Sequence, residues 1–144
     1  MRFVIRQLPL LCLLLLSRLA AAQVNVFACE PEWAALAQEI GGKYVSANSA
    51  TTALQDVHQI QARPSLIAKL RKADLLVCTG AGLESGWLPV LQRRANNPAV
   101  QKGAVGYLEA TQYVKLLDRP ARIDRAAGDV HAQGNPHIQL DPRN

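Results

Sequence analysis

The sequence is short of the residues that most often carry chemistry. Its 144 residues hold three cysteines, three histidines, one methionine, two tryptophans and two phenylalanines. No Cys-x-x-Cys is present, and Cys29 and Cys78 lie too far apart for a zinc finger. Gly-x-Ser-x-Gly is absent too, so a hydrolase nucleophile has no elbow to sit on. Gly80-Ala81-Gly82 lacks the third glycine of a dinucleotide loop and the Lys-Ser/Thr of a phosphate loop, and a turn between strand and helix explains it better. Residues 23–144 contain no internal repeat and no low-complexity tract.

What is present begins with a leader. Arg2 and Arg6 precede an apolar run from Leu8 to Leu16, and Ser17-Arg18-Leu19-Ala20-Ala21-Ala22 follows. A basic head, an apolar middle too short to span a bilayer comfortably and a small-residue end describe a cleaved secretory signal over residues 1–22, with an uncleaved anchor as the alternative. Cys12 follows Leu10-Leu11 rather than a small residue, which argues against a lipidation site. Export to the periplasm is therefore expected, with residues 23–144 forming one domain. Losing the leader removes three arginines and no acid, so the formal charge falls from +5 to +2. That balance makes no case for nucleic acid, and a monomer is expected. Cys29 and Cys78 each end an expected strand, where a buried free thiol is the commoner outcome; pairing in an oxidising compartment is the alternative, because connectivity cannot be read without distances.

The hydropathy pattern alternates strands with helices. Val24–Cys29 is a β-forming run that stops at Glu30-Pro31, and Pro31 opens a helix with Trp33, Leu36, Ala37 and Ile40 on one face, closed by Gly41-Gly42. Tyr44–Ala47 reads as a second strand, and residues 48–63 as a loop. Pro64-Ser65 starts a second helix with Leu66, Ile67 and Leu70 inward, ended by Ala73-Asp74. Leu75–Thr79 is a continuous apolar run, the mark of a strand buried on both faces. Leu83, Trp87, Leu88 and Leu91 follow helical spacing up to Arg93-Arg94, with Trp87 as a core anchor, and Val105–Leu108 is a fourth strand. Residues 111–127 are ambiguous, Val114, Leu116 and Leu117 fitting either a strand or a helix. The predicted fold is α/β, an open and mainly parallel four-stranded sheet flanked by helices. Ligands of such sheets sit beyond the carboxyl ends of the strands.

His58 lies in the loop after the second strand, within Asp56-Val57-His58, and His131 and His137 lie in the last stretch, within Val130-His131-Ala132-Gln133-Gly134-Asn135-Pro136-His137. Asn-Pro ahead of His137 fixes a turn that presents the imidazole on a rigid loop. Neutral imidazole nitrogens held a little over 2 Å from an ion suit a zinc-type site, and Asp56 and Asp141 stand close enough in sequence to accept the second ring N–H and set the tautomer. Spacing alone is a weak signal, since isolated histidines in a small domain are more often surface or hydrogen-bonded structural residues. A nucleophilic grouping of Ser65, Asp56 and His58 is disfavoured, because Ser65 belongs to the first turn of a helix. The rival from another class is a small exported metallohydrolase using the same histidines, with Asp56 or Asp129 as general base.

Asp56 to Ser65 aligns without gaps on Asp-Pro-His-x-Tyr-Glu-Pro-x-Pro-Ser, keeping Asp56, His58, Pro64 and Ser65. With Ile67–Leu75, Gly80, Leu83-Glu84 and Trp87-Leu88, and with Asn135-Pro136-His137 and Leu140-Asp141-Pro142, the chain resembles the amino-terminal half of the periplasmic substrate-binding proteins of zinc and manganese ABC transporters, the TroA/ZnuA-like family. The resemblance implies that His58 and His137 are metal ligands, that further ligands come from a second α/β lobe, and that the cargo is Zn2+, with Mn2+ as the alternative, delivered to an ABC permease without catalysis. Val57, Ile60 and Gln61-Ala62 depart from the family's Pro, Tyr and Glu-Pro, which implies a less rigid first loop. There is no His-rich insertion of the kind many zinc-specific members carry, and His131 has no fixed role in the pattern, leaving it as an auxiliary ligand or a structural residue. No packing element follows Asp141-Pro142-Arg143-Asn144, so truncation at the connection between lobes is expected, and with it poor zinc affinity.

Overall fold

The computed structural model describes residues 22–123 and 130–144. The leader expected over residues 1–22 thus lies, except for Ala22, outside the described residues. Four strands, β1 (Val24–Ala28), β2 (Val45–Ser49), β3 (Leu75–Cys78) and β4 (Tyr107–Glu109), alternate with α1 (Pro31–Gly41), α2 (Pro64–Arg71) and α3 (Leu88–Ala95). All neighbours pair in parallel, in the order β2-β1-β3-β4. Val24 to Ala28 pair with Val45 to Ser49, Val26 to Ala28 with Leu75 to Val77, and Leu76 to Cys78 with Tyr107 to Glu109. This is the predicted class. Among the described residues no helix is long and apolar enough to cross a membrane.

Proline sets where the helices begin. Pro31, Pro64 and Pro89 occupy the first turns of α1, α2 and α3, where a missing N–H costs nothing. Leu66 and Leu70 of α2 and Leu88, Leu91 and Ala95 of α3 close over Phe27, Leu76 and Cys78 on one face of the sheet, and Trp87 and Val100 complete that core. The other face is covered less fully. Helix α1 lies over it, yet none of its residues is buried, and Leu36 and Ile40 keep 49% and 79% of their surface exposed. The apolar face read for α1 exists, but it borders an open groove rather than a closed core.

Three readings need correction. Helix α3 begins at Leu88, not Leu83, because Gly80, Ala81 and Gly82 all take positive φ angles and the chain turns through residues 81–87 before a helix can start. Strand β4 begins at Tyr107, two residues later than the apolar run suggests. At Gly106 a Cβ would stand 2.5 Å from the carbonyl oxygens of Ala99 and Asp74, so the backbone passes where no side chain fits, and its carbonyl accepts the first inter-strand bond, from Leu76 N–H at 2.8 Å, just ahead of the strand. Cys29 and Cys78 are joined in a disulfide rather than free. Cys29 directly follows β1 and Cys78 ends β3, adjacent strands in the sheet, and their Cα atoms are 4.8 Å apart, within bridging reach. Up to residue 123 the ambiguous stretch after β4 is a short 3-10 turn, Ala110–Tyr113, and then irregular chain; residues 124–127 lie outside the described residues.

Candidate metal-binding site

Because every strand runs the same way, the loops after β2, β3 and β4 gather at one edge of the sheet. His58 comes from the first of these loops and His131 and His137 from the last, and all three line one cavity of about 310 Å3 together with Asp118, Val130, Gly134, Asn135 and Pro136.

The His58 loop is fixed by its own aspartate. Asp56 Oδ1 accepts from the backbone N–H of His58 at 2.9 Å and from ring Nδ1 at 2.8 Å. Those two bonds, the backbone one first, hold the Asp56 carboxyl below the usual carboxylate range. A carboxylate only accepts, so the ring hydrogen resides on Nδ1 and the lone pair of neutral His58 is on Nε2, facing the cavity. The buried Trp87 adds a second tether, its indole N–H donating to the Val57 carbonyl at 2.7 Å. Trp87 is the core anchor the sequence suggests, and it also positions the histidine loop. Ser65 is exposed in the first turn of α2, and His58 Nε2, the nitrogen a triad would aim at its serine, meets His131 instead, so no nucleophilic triad is assembled.

The His137 loop repeats the device. Asn135 Oδ1 accepts from the His137 backbone N–H at 3.0 Å, as Asp56 does for His58. Pro136 and Ile138 on either side are buried, which anchors the backbone and leaves the imidazole exposed. Gly134 is required just before: its φ is +118°, and a Cβ there would stand 2.7 Å from the Leu117 carbonyl. Asn135 is tied to Leu117 O by its N–H at 2.8 Å and to Asp118 by its side-chain amide at 3.2 Å. Asp141, expected to orient a histidine, does not do so. Arg143 donates to it through Nε at 2.9 Å and Nη2 at 2.7 Å, which holds its carboxyl at about 2.

His131 comes into direct contact with His58. The Nε2 atoms of His58 and His131 are 3.4 Å apart, and their ring centroids 5.3 Å. The three histidines do not together bring one ring nitrogen each within 4.8 Å of one another; among the described residues the grouping that meets that limit is Cys29, Cys78 and Glu84. Its sulfurs are bonded to each other and offer no thiolate. Of the two acids named as a hydrolase base, Asp56 is occupied by His58, and Asp129 lies outside the described residues. Gly134, Asp118 and the His58–His131 pairing were not read from the sequence. The glycine ahead of Asn-Pro-His was the available signal.

The family model described as ZnuA, zinc-uptake complex component A, periplasmic, matches residues 26–144. The manganese ABC transporter substrate-binding lipoprotein scaA of Streptococcus gordonii is 29% identical over 137 residues, which is 87% of this chain and 44% of the relative. Among solved structures, a zinc-bound deletion mutant of ZnuA superposes with a TM-score of 0.65 at 23% identity, over 84% of this chain and 41% of that one. A manganese-bound periplasmic metal binding protein from Candidatus Liberibacter asiaticus gives 0.59 at 21% identity, over 81% and 38%. The chain thus spans less than half the length of these relatives, and they divide between zinc and manganese. The match over residues 26–144 places the chain in the periplasmic zinc-uptake complex component A family, a family of metal-binding transport components and not of enzymes, which removes the hydrolase alternative.

Proposed function

We propose that the chain captures a divalent transition metal outside the cytoplasm, with His58 and His137 as nitrogen ligands, and that the ion is cargo for an ABC permease. The observation that carries this reading is the convergence of His58 and His137 on one cavity from loops after different strands, each histidine backbone fastened by a side-chain oxygen two residues before it. Such loops hold imidazoles in place before an ion arrives, which lowers the ordering cost of binding. Zinc is the proposed cargo: imidazole suits it better than it suits manganese, which prefers oxygen donors. The resident chemistry is binding alone, and metal-binding relatives of both kinds support it.

Titration of the purified protein with Zn2+ in competition with a chelating dye tests the assignment. His58→Ala and His137→Ala should each weaken zinc binding by at least about tenfold, the loss seen even when a mere orienting partner is removed. Unchanged affinity in both variants would refute it.

A further inference from the structure

We propose that His131 is a third nitrogen ligand, paired with His58, and that this pair is what selects zinc over manganese. The inference rests on the reading of His58 as a ligand and adds a residue for which the sequence offered no fixed role.

Two imidazole nitrogens bound to one tetrahedral zinc at about 2.0–2.1 Å are about 3.3–3.4 Å apart, and their ring centres, lying about 1.1–1.2 Å behind the nitrogens, are separated by about 5.1–5.3 Å. His58 Nε2 and His131 Nε2 are 3.4 Å apart, with centroids at 5.3 Å. The nitrogen tips are thus much closer than the ring centres, as in two ligands pointing at one ion. At 3.4 Å a direct N–H···N bond would be a long one, beyond the roughly 2.7–3.2 Å usual for N–H···O bonds. Asp56 has already placed the His58 hydrogen on Nδ1, so its Nε2 lone pair is the one that faces His131. An ion between the rings needs only a lone pair on His131 Nε2 as well, and an Nδ1–H tautomer of His131 supplies it.

The chemical consequence is selectivity. Two preset imidazoles fix a nitrogen-rich bite, which zinc accepts at four-coordination and manganese, last in the Irving–Williams order, binds poorly. His137 lines the same cavity and is the next nitrogen available to an ion held by the pair.

The test uses Zn2+ and Mn2+ separately on the purified full chain, with the wild type, His58→Ala, His131→Ala and His131→Gln. Both His131 variants should lose about tenfold or more in zinc affinity while manganese affinity moves less than twofold, narrowing the zinc-to-manganese preference by about tenfold. Zinc-titrated imidazole nitrogen spectra of the wild type should show metal-bound Nε2 resonances for both His58 and His131, a readout independent of any variant's folding. If His58→Ala abolishes zinc binding, both His131 variants bind zinc as the wild type does and the His131 resonance does not move, this inference fails and the transport reading stands. If His58→Ala itself binds zinc normally, the underlying reading fails with it.

Discussion

Two polar clusters stand at the carboxyl ends of the strands, and they are built to opposite ends. One is the rim of His58, His131 and His137, partly open to solvent and contributed by loops after β2 and β4. The other sits where the strand order turns back, between β1 and β3, and is closed: Glu30 and Glu84 are both buried, beside the Cys29–Cys78 disulfide. Open α/β sheets commonly bind ligands at that switch point. Here the position is filled from within. Thr79 donates its hydroxyl to Glu30 Oε2 at 2.9 Å and its N–H to Glu84 Oε1 at 2.8 Å, and the Trp33 indole donates to Thr79 at 2.8 Å. Asp56 at the rim keeps its charge and orients a ring, whereas burial makes the two acids of the closed cluster share one proton. The same side-chain chemistry thus orients a histidine in one place and packs in the other, and solvent access decides which.

Breaking the closed cluster should have the largest effect. Replacing both cysteines, Cys29→Ser with Cys78→Ser, releases a loop of 49 residues, and the chain-entropy relation puts the loss near 4 kcal/mol. Chemical denaturation should show a lower midpoint, while zinc affinity under folding conditions changes less than threefold, since the disulfide touches none of the cavity residues. A large fall in affinity without a fall in stability would show that the two clusters are one. Next in size is the rim. Asp56→Ala removes both the turn and the tautomer bond and should cost about 10–100-fold in zinc affinity. Asp56→Asn, whose side-chain carbonyl still accepts, should cost less. Equal losses for the two would mean that charge, not hydrogen bonding, orients His58.

The closed cluster has a pH signature of its own. Burial first, and then the neighbouring Glu84, push the Glu30 carboxyl from 4.5 up to about 9, and burial raises Glu84 as well, against the amides of Thr79 and Gly80 that favour its charge. Glu30 Oε1 has no partner unless a proton lies between the two carboxyls, so the pair holds one proton as a unit. Between pH 4.5 and about 9 the folded chain keeps a proton that the unfolded chain has released. Stability therefore falls as pH rises through that window, by at most about 1.4 kcal/mol per pH unit. Glu30→Gln keeps an acceptor for Thr79, brings its own donor for Glu84 and has no proton to lose. Its melting temperature should vary less from pH 5 to 9 than that of the wild type; parallel curves would place the proton elsewhere.

The rim was more legible in the sequence than the closed cluster, for a physical reason. Pro31 and Pro64, the Gly41-Gly42 stop and the unbroken apolar run at Leu75 are local signals, and they located α1, α2 and the central strands to within a residue or two. Asp56-Val57-His58 and Asn135-Pro136-His137 are local too, since each turn closes within three residues. What could not be read depends on contacts between distant segments. The Cys29–Cys78 bridge requires β3 to lie beside β1, and the pairing of His58 with His131 requires the loops after β2 and β4 to meet. Glu84 looked like part of a helix that begins later, because its carboxylate instead accepts from the amides of Thr79 and Gly80 across the turn.

The smallest expected effect sharpens the contrast between two aspartates, one exposed and one half-buried. Asp56 and Asp141 each stand near a histidine in sequence, and sequence alone gives them the same orienting role. In the folded chain Asp56 spends its acceptors on His58, whereas Asp141 spends both oxygens on Arg143 and lies outside the histidine cavity. Its carboxyl, at about 2, stays ionised throughout the neutral range and is compensated on the spot. Asp141→Asn should therefore leave zinc affinity within about twofold, the size of a screened surface charge change. A loss comparable to that of Asp56→Ala in the same dye competition would mean that His137 takes its orientation from Asp141 once an ion is bound, and the division of labour between the two aspartates would have to be redrawn.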